Sequence, residues 1–174
     1  MVILLIIAVD VSKAEGQIPV QYGKDAVEVP GSRALLNSLD SASVPWAIVT
    51  SGTNALVSGW LKVMGLARPN ILVSAEQVEK GKPDPACYKL GAKRLGYADA
   101  APERMLVLED APAGVKAGKA AGYKVVAFAT THDVDRLREA GADWIVEDAR
   151  SVTLSSWDGK TGTATIQIAN ALLR

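Results

Sequence analysis

The chain has 174 residues, a length that suits one domain, with 49% apolar and 22% charged residues, the mix of a globular protein rather than a disordered one. Lys+Arg and Asp+Glu both number 19, so there is no bulk charge with which to hold nucleic acid or an anionic membrane, and neither partner is expected. The single cysteine, Cys87, excludes an internal disulfide, and the single histidine, His132, argues against a His-rich zinc site or a Ser-His-Asp triad. Without a disulfide framework, a reducing, cytoplasmic setting is the expectation.

The first element is the apolar run Val2 to Val9. It is too short to cross a bilayer as a helix, which takes about 20 residues, and it lacks the basic flank of a signal peptide. Its β-branched content predicts a strand buried on both faces, in the middle of a parallel sheet and closed by Asp10. Leu35, Leu36 and Leu39 predict a helix over 32–40. Pro45 then punctuates, and Trp46 to Val49 reads as a strand ending at Thr50, Ser51 and Gly52. Residues 53–65 return to helical period, with Leu56, Val57, Trp60, Leu61 and Met64 on one face. Ile71 to Val73 is a short strand. Gly81 to Pro85 (Gly-Lys-Pro-Asp-Pro) is a rigid loop, with Asp84 suited to cap a helix and Pro85 to open one that runs to about Arg94.

The second half repeats the alternation. Met105 to Leu108 is a strand ending in Glu109 and Asp110; residues 113–121 are a helix stopped by Gly122. Lys124 to Ala129 is a strand, residues 133–140 a helix stopped by Gly141, and Trp144 to Val146 a last short strand. From Ser151 onward the pattern weakens and reads as a strand and a short helix. Strands alternating with helices imply right-handed βαβ units and an α/β fold, its mainly parallel sheet covered on both faces. Ligands of such sheets bind at the carboxyl ends of the strands, which directs attention to Asp10, to Thr50-Ser51-Gly52 and to Glu109-Asp110.

Each cluster has a plain reading beside its chemical one. The helix start after Thr50 offers free N–H groups and a dipole to an anion, the Thr50 hydroxyl a further donor and Gly52 close backbone approach, yet Ser, Thr and Asn are also ordinary capping residues. Lys82, restrained between Gly81 and Pro83, can neutralise a phosphate or a carboxylate nucleophile, or simply be a solvated loop lysine. Glu109 and Asp110 at the end of a buried strand are costly unless paired or bound to a hard cation; alternatively Asp110 caps the next helix. Asp10 is a candidate nucleophile for an aspartyl-phosphate, or a polar residue that merely stops the run. His132 and Cys87 read as a loop residue and a helix-face residue. Thr50 and Lys82 lie 32 residues apart, Lys82 and Asp110 28, each about one βαβ unit, which puts the three clusters on one rim of one sheet.

In that order, Ile48 to Thr53 (Ile-Val-Thr-Ser-Gly-Thr), Gly81 to Pro85 and Leu108 to Gly114 (Leu-Glu-Asp-Ala-Pro-Ala-Gly) resemble the second, third and fourth motifs of the haloacid-dehalogenase-like (HAD) hydrolases. Residues 25–33, 45–53 and 81–88 are similar to the fungal glycerol-phosphate and 2-deoxyglucose-6-phosphate phosphatases of that family. The resemblance implies a three-layer Rossmann-like core and a Mg²⁺-dependent phosphatase of small sugar or polyol phosphates, acting through an aspartyl-phosphate. Thr50, with Ser51 and Gly52, would bind the phosphoryl group, Lys82 would neutralise charge, and Asp110 would ligate Mg²⁺ with Glu109 beside it or acting through water. The family's first motif, Asp-x-Asp-Gly-Thr, is not intact: Asp10 is followed by Val11, Ser12 and Lys13. Residues 11–19 resemble the end of the helical cap that normally follows that motif. The division expected is therefore 1–29, a central strand with a remnant of cap and linker, and 30–174, the hydrolase core, most of the cap being missing. Two alternatives stay open: a non-catalytic remnant that binds phosphate and Mg²⁺ weakly, and a receiver-like domain phosphorylated on a strand-end Asp. Substrate identity and oligomeric state are not legible.

Overall fold

A computed structural model of the chain describes residues 2–5 and 17–172. Six strands form one parallel sheet: β1 (Val2–Leu5), β2 (Trp46–Val49), β3 (Ile71–Val73), β4 (Met105–Glu109), β5 (Lys124–Phe128) and β6 (Trp144–Val146). Their order is β3-β2-β1-β4-β5-β6, so the expected central strand does lie in the middle, with Leu5 in register with Ile48 on one side and Leu108 on the other. The remainder of the predicted run, with Asp10, lies outside the described residues.

The apolar runs make these strands because both faces of the sheet are covered. Ala47, Val49, Met105, Val107, Val125, Ala127 and Ile145 point into one core, packed by α4 (Ala86–Arg94), α5 (Pro112–Ala120) and α6 (Val134–Glu139). The alternate residues Trp46, Ile48, Leu106, Leu108, Val126, Phe128 and Val146 point into the other, against α2 (Ser32–Ser41) and α3 (Asn54–Met64). The period of two along the strands thus splits one continuous apolar sequence between two cores, each buried side chain stabilising by about 1.5–3 kcal/mol. α1 (Ile18–Tyr22) lies on α3, where Pro19 sits so close to Gly59 that a Cβ there would meet its ring at 2.8 Å.

Helix ends follow the sequence closely. Thr53 caps α3, its Oγ1 accepting the Leu56 N–H at 3.3 Å, and Asp133 caps α6. Gly65, Gly122 and Gly141 take left-handed backbone beyond their helices. Asp84 accepts the Ala86 N–H at 2.9 Å as expected, but α4 begins one residue later than expected, at Ala86, with Pro85 flanking it.

The C-terminal segment differs from expectation. In place of a strand and a short helix it is an antiparallel hairpin of β7 (Val152–Asp158) and β8 (Thr163–Ile168). Leu154, Trp157, Ile166 and Ile168 lie against the α2–α3 core. A register shift between Leu154 and Ser156 interrupts the alternation that would have marked β7 as a strand.

Candidate active site

Chain crossovers reverse direction between β1 and β4, the switch point at which open parallel sheets bind ligands beyond their carboxyl ends. β2 delivers Thr50 beside that point and β4 delivers Glu109 and Asp110. Thr50 is buried; its N–H joins the ladder to the Val73 carbonyl, and its Oγ1 accepts the Gly52 N–H at 3.0 Å. Ser51 is exposed at the turn. Gly52 is buried, and a Cβ there would come within 3.2 Å of Leu56. The helix start itself is less available than the sequence suggests. The Leu56 N–H is held by Thr53 and the Asn54 N–H by Glu76 at 3.0 Å, so two of its first donors are already taken.

Lys82 is not a solvated loop residue. Its side chain is 7% exposed, and Nζ donates to the Val49 carbonyl at 3.3 Å and to Glu109 Oε1 at 2.9 Å. The Lys82–Pro83 peptide is cis. One ammonium therefore bridges the end of β2 to the end of β4, and the clusters at 50, 82 and 109–110 meet on one rim.

Glu109 is 1% exposed, and its two oxygens are fully used. Oε1 accepts from Lys82 and from the Tyr88 hydroxyl at 2.8 Å; Oε2 accepts the N–H groups of Asp110 and Ala111 at 2.9 and 3.1 Å. Four donors account for the roughly four lone-pair positions of a carboxylate. The side chain fits because α5 carries Gly114 at the point of contact: a Cβ there would lie 1.4 Å from Oε1. Burial, reinforced by the charge of Glu109, pushes the Tyr88 phenol well above its ordinary value, so it stays a donor.

Asp110 is the opposite case. Ala111, not Asp110, occupies the cap of α5. Asp110 Oδ2 accepts from the Thr131 hydroxyl at 2.8 Å, while Oδ1 is buried with no hydrogen-bond partner among the described residues. Burial pushes this carboxyl above its ordinary range; Thr131 pulls the other way, Glu109 adds to the rise and Lys82 opposes it. A buried, unpartnered anionic oxygen is costly alone and is what a hard cation needs, since Mg²⁺ takes one or two carboxylates and fills its remaining positions with water and phosphate. Asp110 fits that ion; among the described residues there is no group of three or more His, Cys, Asp or Glu that could hold a metal.

Tyr88, Gly114, Thr131 and His132 also belong to this site; none of them has a role in it in the sequence reading, where His132 is a plain loop residue. His132 Nδ1 lies 3.2 Å from the Asp110 carbonyl and 3.0 Å from Thr131 Oγ1. The Thr131 hydroxyl donates to Asp110 Oδ2, so Thr131 and His132 together brace the Asp110 side chain and its carbonyl. The strand-end rule, applied to β5 as it was to β1, β2 and β4, would have pointed to 130–132. Cys87 is buried on α4, where desolvation pushes its thiol up despite Lys82 nearby. An open concavity of about 380 Å³ lies beyond β5 and β6, but Glu28, Glu147 and Asp148 line it, which disfavours a phosphate there.

A parallel α/β sheet with these three clusters on its rim defines the class, and comparison with known proteins gives the family. The model of the haloacid dehalogenase-like hydrolases matches residues 7–122, and the chain belongs to that family. It is 41% identical over 156 residues to glycerol-1-phosphate phosphohydrolase 2 of Saccharomyces cerevisiae, covering 87% of this chain and 62% of that protein. It is 43% identical over 127 residues to hexitol phosphatase A of Escherichia coli, covering 73% and 56%. Among solved structures, a hydrolase from Pseudomonas syringae superposes with a TM-score of 0.68 at 29% identity, covering 77% of this chain and 61% of that one. The chain spans about three fifths of the length of the curated relatives it matches. Among the described residues no helix is long and apolar enough to cross a membrane.

Proposed function

We propose that the chain is the core of a Mg²⁺-dependent phosphatase of small sugar or polyol phosphates. The observation that carries this reading is the meeting of Lys82 with the ends of β2 and β4 beside a buried Asp110 oxygen that the described residues leave unpartnered. The names of the two phosphatase relatives support the substrate class.

In this reading the Thr50 hydroxyl and the 50–52 turn bind the phosphoryl oxygens, and Lys82, locked to Glu109, holds positive charge against them. Asp110 would hold Mg²⁺, oriented by Thr131 and His132, while Glu109, its four positions filled by protein donors, holds Lys82 beside it and not the ion. The ion, when bound, supplies charge stabilisation to a loose phosphoryl transition state. Asp10 is the proposed nucleophile: its carboxylate oxygen bonds to phosphorus, the polyol oxygen leaves and takes up a proton, and water then cleaves the aspartyl-phosphate. Position 12 is Ser where the family's motif has its second Asp, so the leaving group takes its proton from solvent and turnover is slow. The ordered three motifs favour this over a receiver-like domain.

Hydrolysis of an aryl phosphate with Mg²⁺ tests the reading. Slow turnover that falls further in Asp110→Asn is the expected result; turnover that survives Asp110→Asn rejects the metal role. Unchanged activity in Asp10→Asn would remove Asp10 from the site, and stable labelling of one Asp by a phosphodonor without turnover would favour the receiver.

A further inference from the structure

We propose that Tyr88 is a positioning residue for Lys82, acting through Glu109. Three observations converge on it. Tyr88 is fully buried on α4, yet its hydroxyl donates at 2.8 Å to the same Glu109 oxygen that receives Lys82. Its ring lies under the ammonium, with Nζ 5.4 Å from the centroid. The carboxylate between them sits in a notch that exists only because residue 114 has no side chain.

The physical reason for such a residue is that an ion pair fixes charge but not direction. A lysine ends in a compact point charge on four rotatable bonds and can reach a carboxylate from many angles. Glu109 Oε2 is held by two backbone N–H groups, which leaves rotation about that end as the soft mode. The Tyr88 hydroxyl closes it by holding Oε1, and the ring beneath blocks the ammonium from swinging towards α4. Lys82 is then left facing the Val49 carbonyl and the phosphate-binding turn beyond it. Tyr88 itself touches no reacting atom. Its consequence for phosphate rests on the role given to Lys82 in the proposed function; its consequence for the ammonium does not.

The experiment uses the whole chain and has two arms. In the first, the Lys82 ammonium resonance, assigned by its loss in Lys82→Arg, is followed by NMR in the unmodified chain and in Tyr88→Phe. In the second, inorganic phosphate is titrated into both. The expected result is a sharp ammonium signal that broadens beyond detection in Tyr88→Phe, with phosphate affinity reduced about 10-fold, the loss of one hydrogen bond to a charged group. An unchanged ammonium signal in a folded Tyr88→Phe overturns the proposal whatever phosphate does. Phosphate that fails to bind the unmodified chain counts against the proposed function instead, while the first arm still decides the role of Tyr88. Should Tyr88→Phe not fold, the unmodified chain decides: a slowly exchanging Tyr88 hydroxyl proton in cross-relaxation with the Lys82 ammonium supports the proposal, and a freely exchanging one overturns it.

Discussion

The two ends of the same sheet each carry a carboxylate beside lysine, and they are built differently. At the amino ends of β5 and β6, Asp143 receives Lys119 at 2.7 Å, Lys124 at 3.2 Å and the Val125 N–H at 2.8 Å. Burial raises its carboxyl, but those hydrogen bonds outweigh it and hold the group below its ordinary value. At the carboxyl ends, Lys82 and Tyr88 are spent on Glu109, and Asp110 is left raised by burial with one oxygen unpartnered among the described residues. A carboxylate satisfied by its own chain is structural. One that the fold buries and the described residues leave open is where the proposed function puts the metal ion.

The largest effect is expected where charge is most buried. Lys82→Met strands the Glu109 carboxylate, and chemical denaturation should show a loss of about 3–5 kcal/mol. A milder loss would mean that Glu109 reaches solvent in the folded variant.

Next comes Gly114→Ala. In an ordinary helix this exchange stabilises by up to about 1 kcal/mol. Here the new methyl group falls on Glu109, and the displacement should cost about 1–3 kcal/mol in a thermal melt, reversing the sign.

Asp143→Ala sharpens the other end of the comparison. It leaves the buried Val125 N–H without its acceptor and should cost about 1–2 kcal/mol at neutral pH. Because the folded carboxyl lies below its ordinary 3.8, the unfolded state binds the proton more tightly. Its stabilisation is full above that value and lost as pH falls through the folded one, so the variant should show a shallower acid limb.

Asp110→Asn gives the smallest effect and the opposite sign. Its folded carboxyl is raised, so the folded state prefers the proton, and the ionised form costs stability above the folded value. Without divalent cations the variant should melt about 2–4 °C higher, the equivalent of about 1 kcal/mol. Added Mg²⁺ should raise the melting temperature of the unmodified chain alone.

What the sequence revealed follows the range of the interactions. Strands such as Trp46–Val49 and Met105–Glu109 were visible because burial on both faces demands unbroken apolar runs. The rim was visible because strand ends are local features and the sheet sets their neighbours. The hairpin from Val152 was not, because the irregularity after Leu154 breaks its period and its apolar residues are few. Nor were Tyr88 and Thr131, each 21 residues from its carboxylate partner, since a hydrogen bond across helix and sheet leaves no trace in local spacing. Gly114 closed the fourth motif in the sequence, but its reason, the Glu109 carboxylate opposite it, is legible only in the structure.

The most direct test is calorimetric titration of inorganic phosphate into the unmodified chain and Asp110→Asn, each with and without Mg²⁺. If the open carboxylate, the ammonium and the 50–52 turn surround one ligand, Mg²⁺ should tighten phosphate about 10-fold in the unmodified chain and leave Asp110→Asn unchanged. Phosphate binding indifferent to Mg²⁺ in both, or equally enhanced in both, would contradict it.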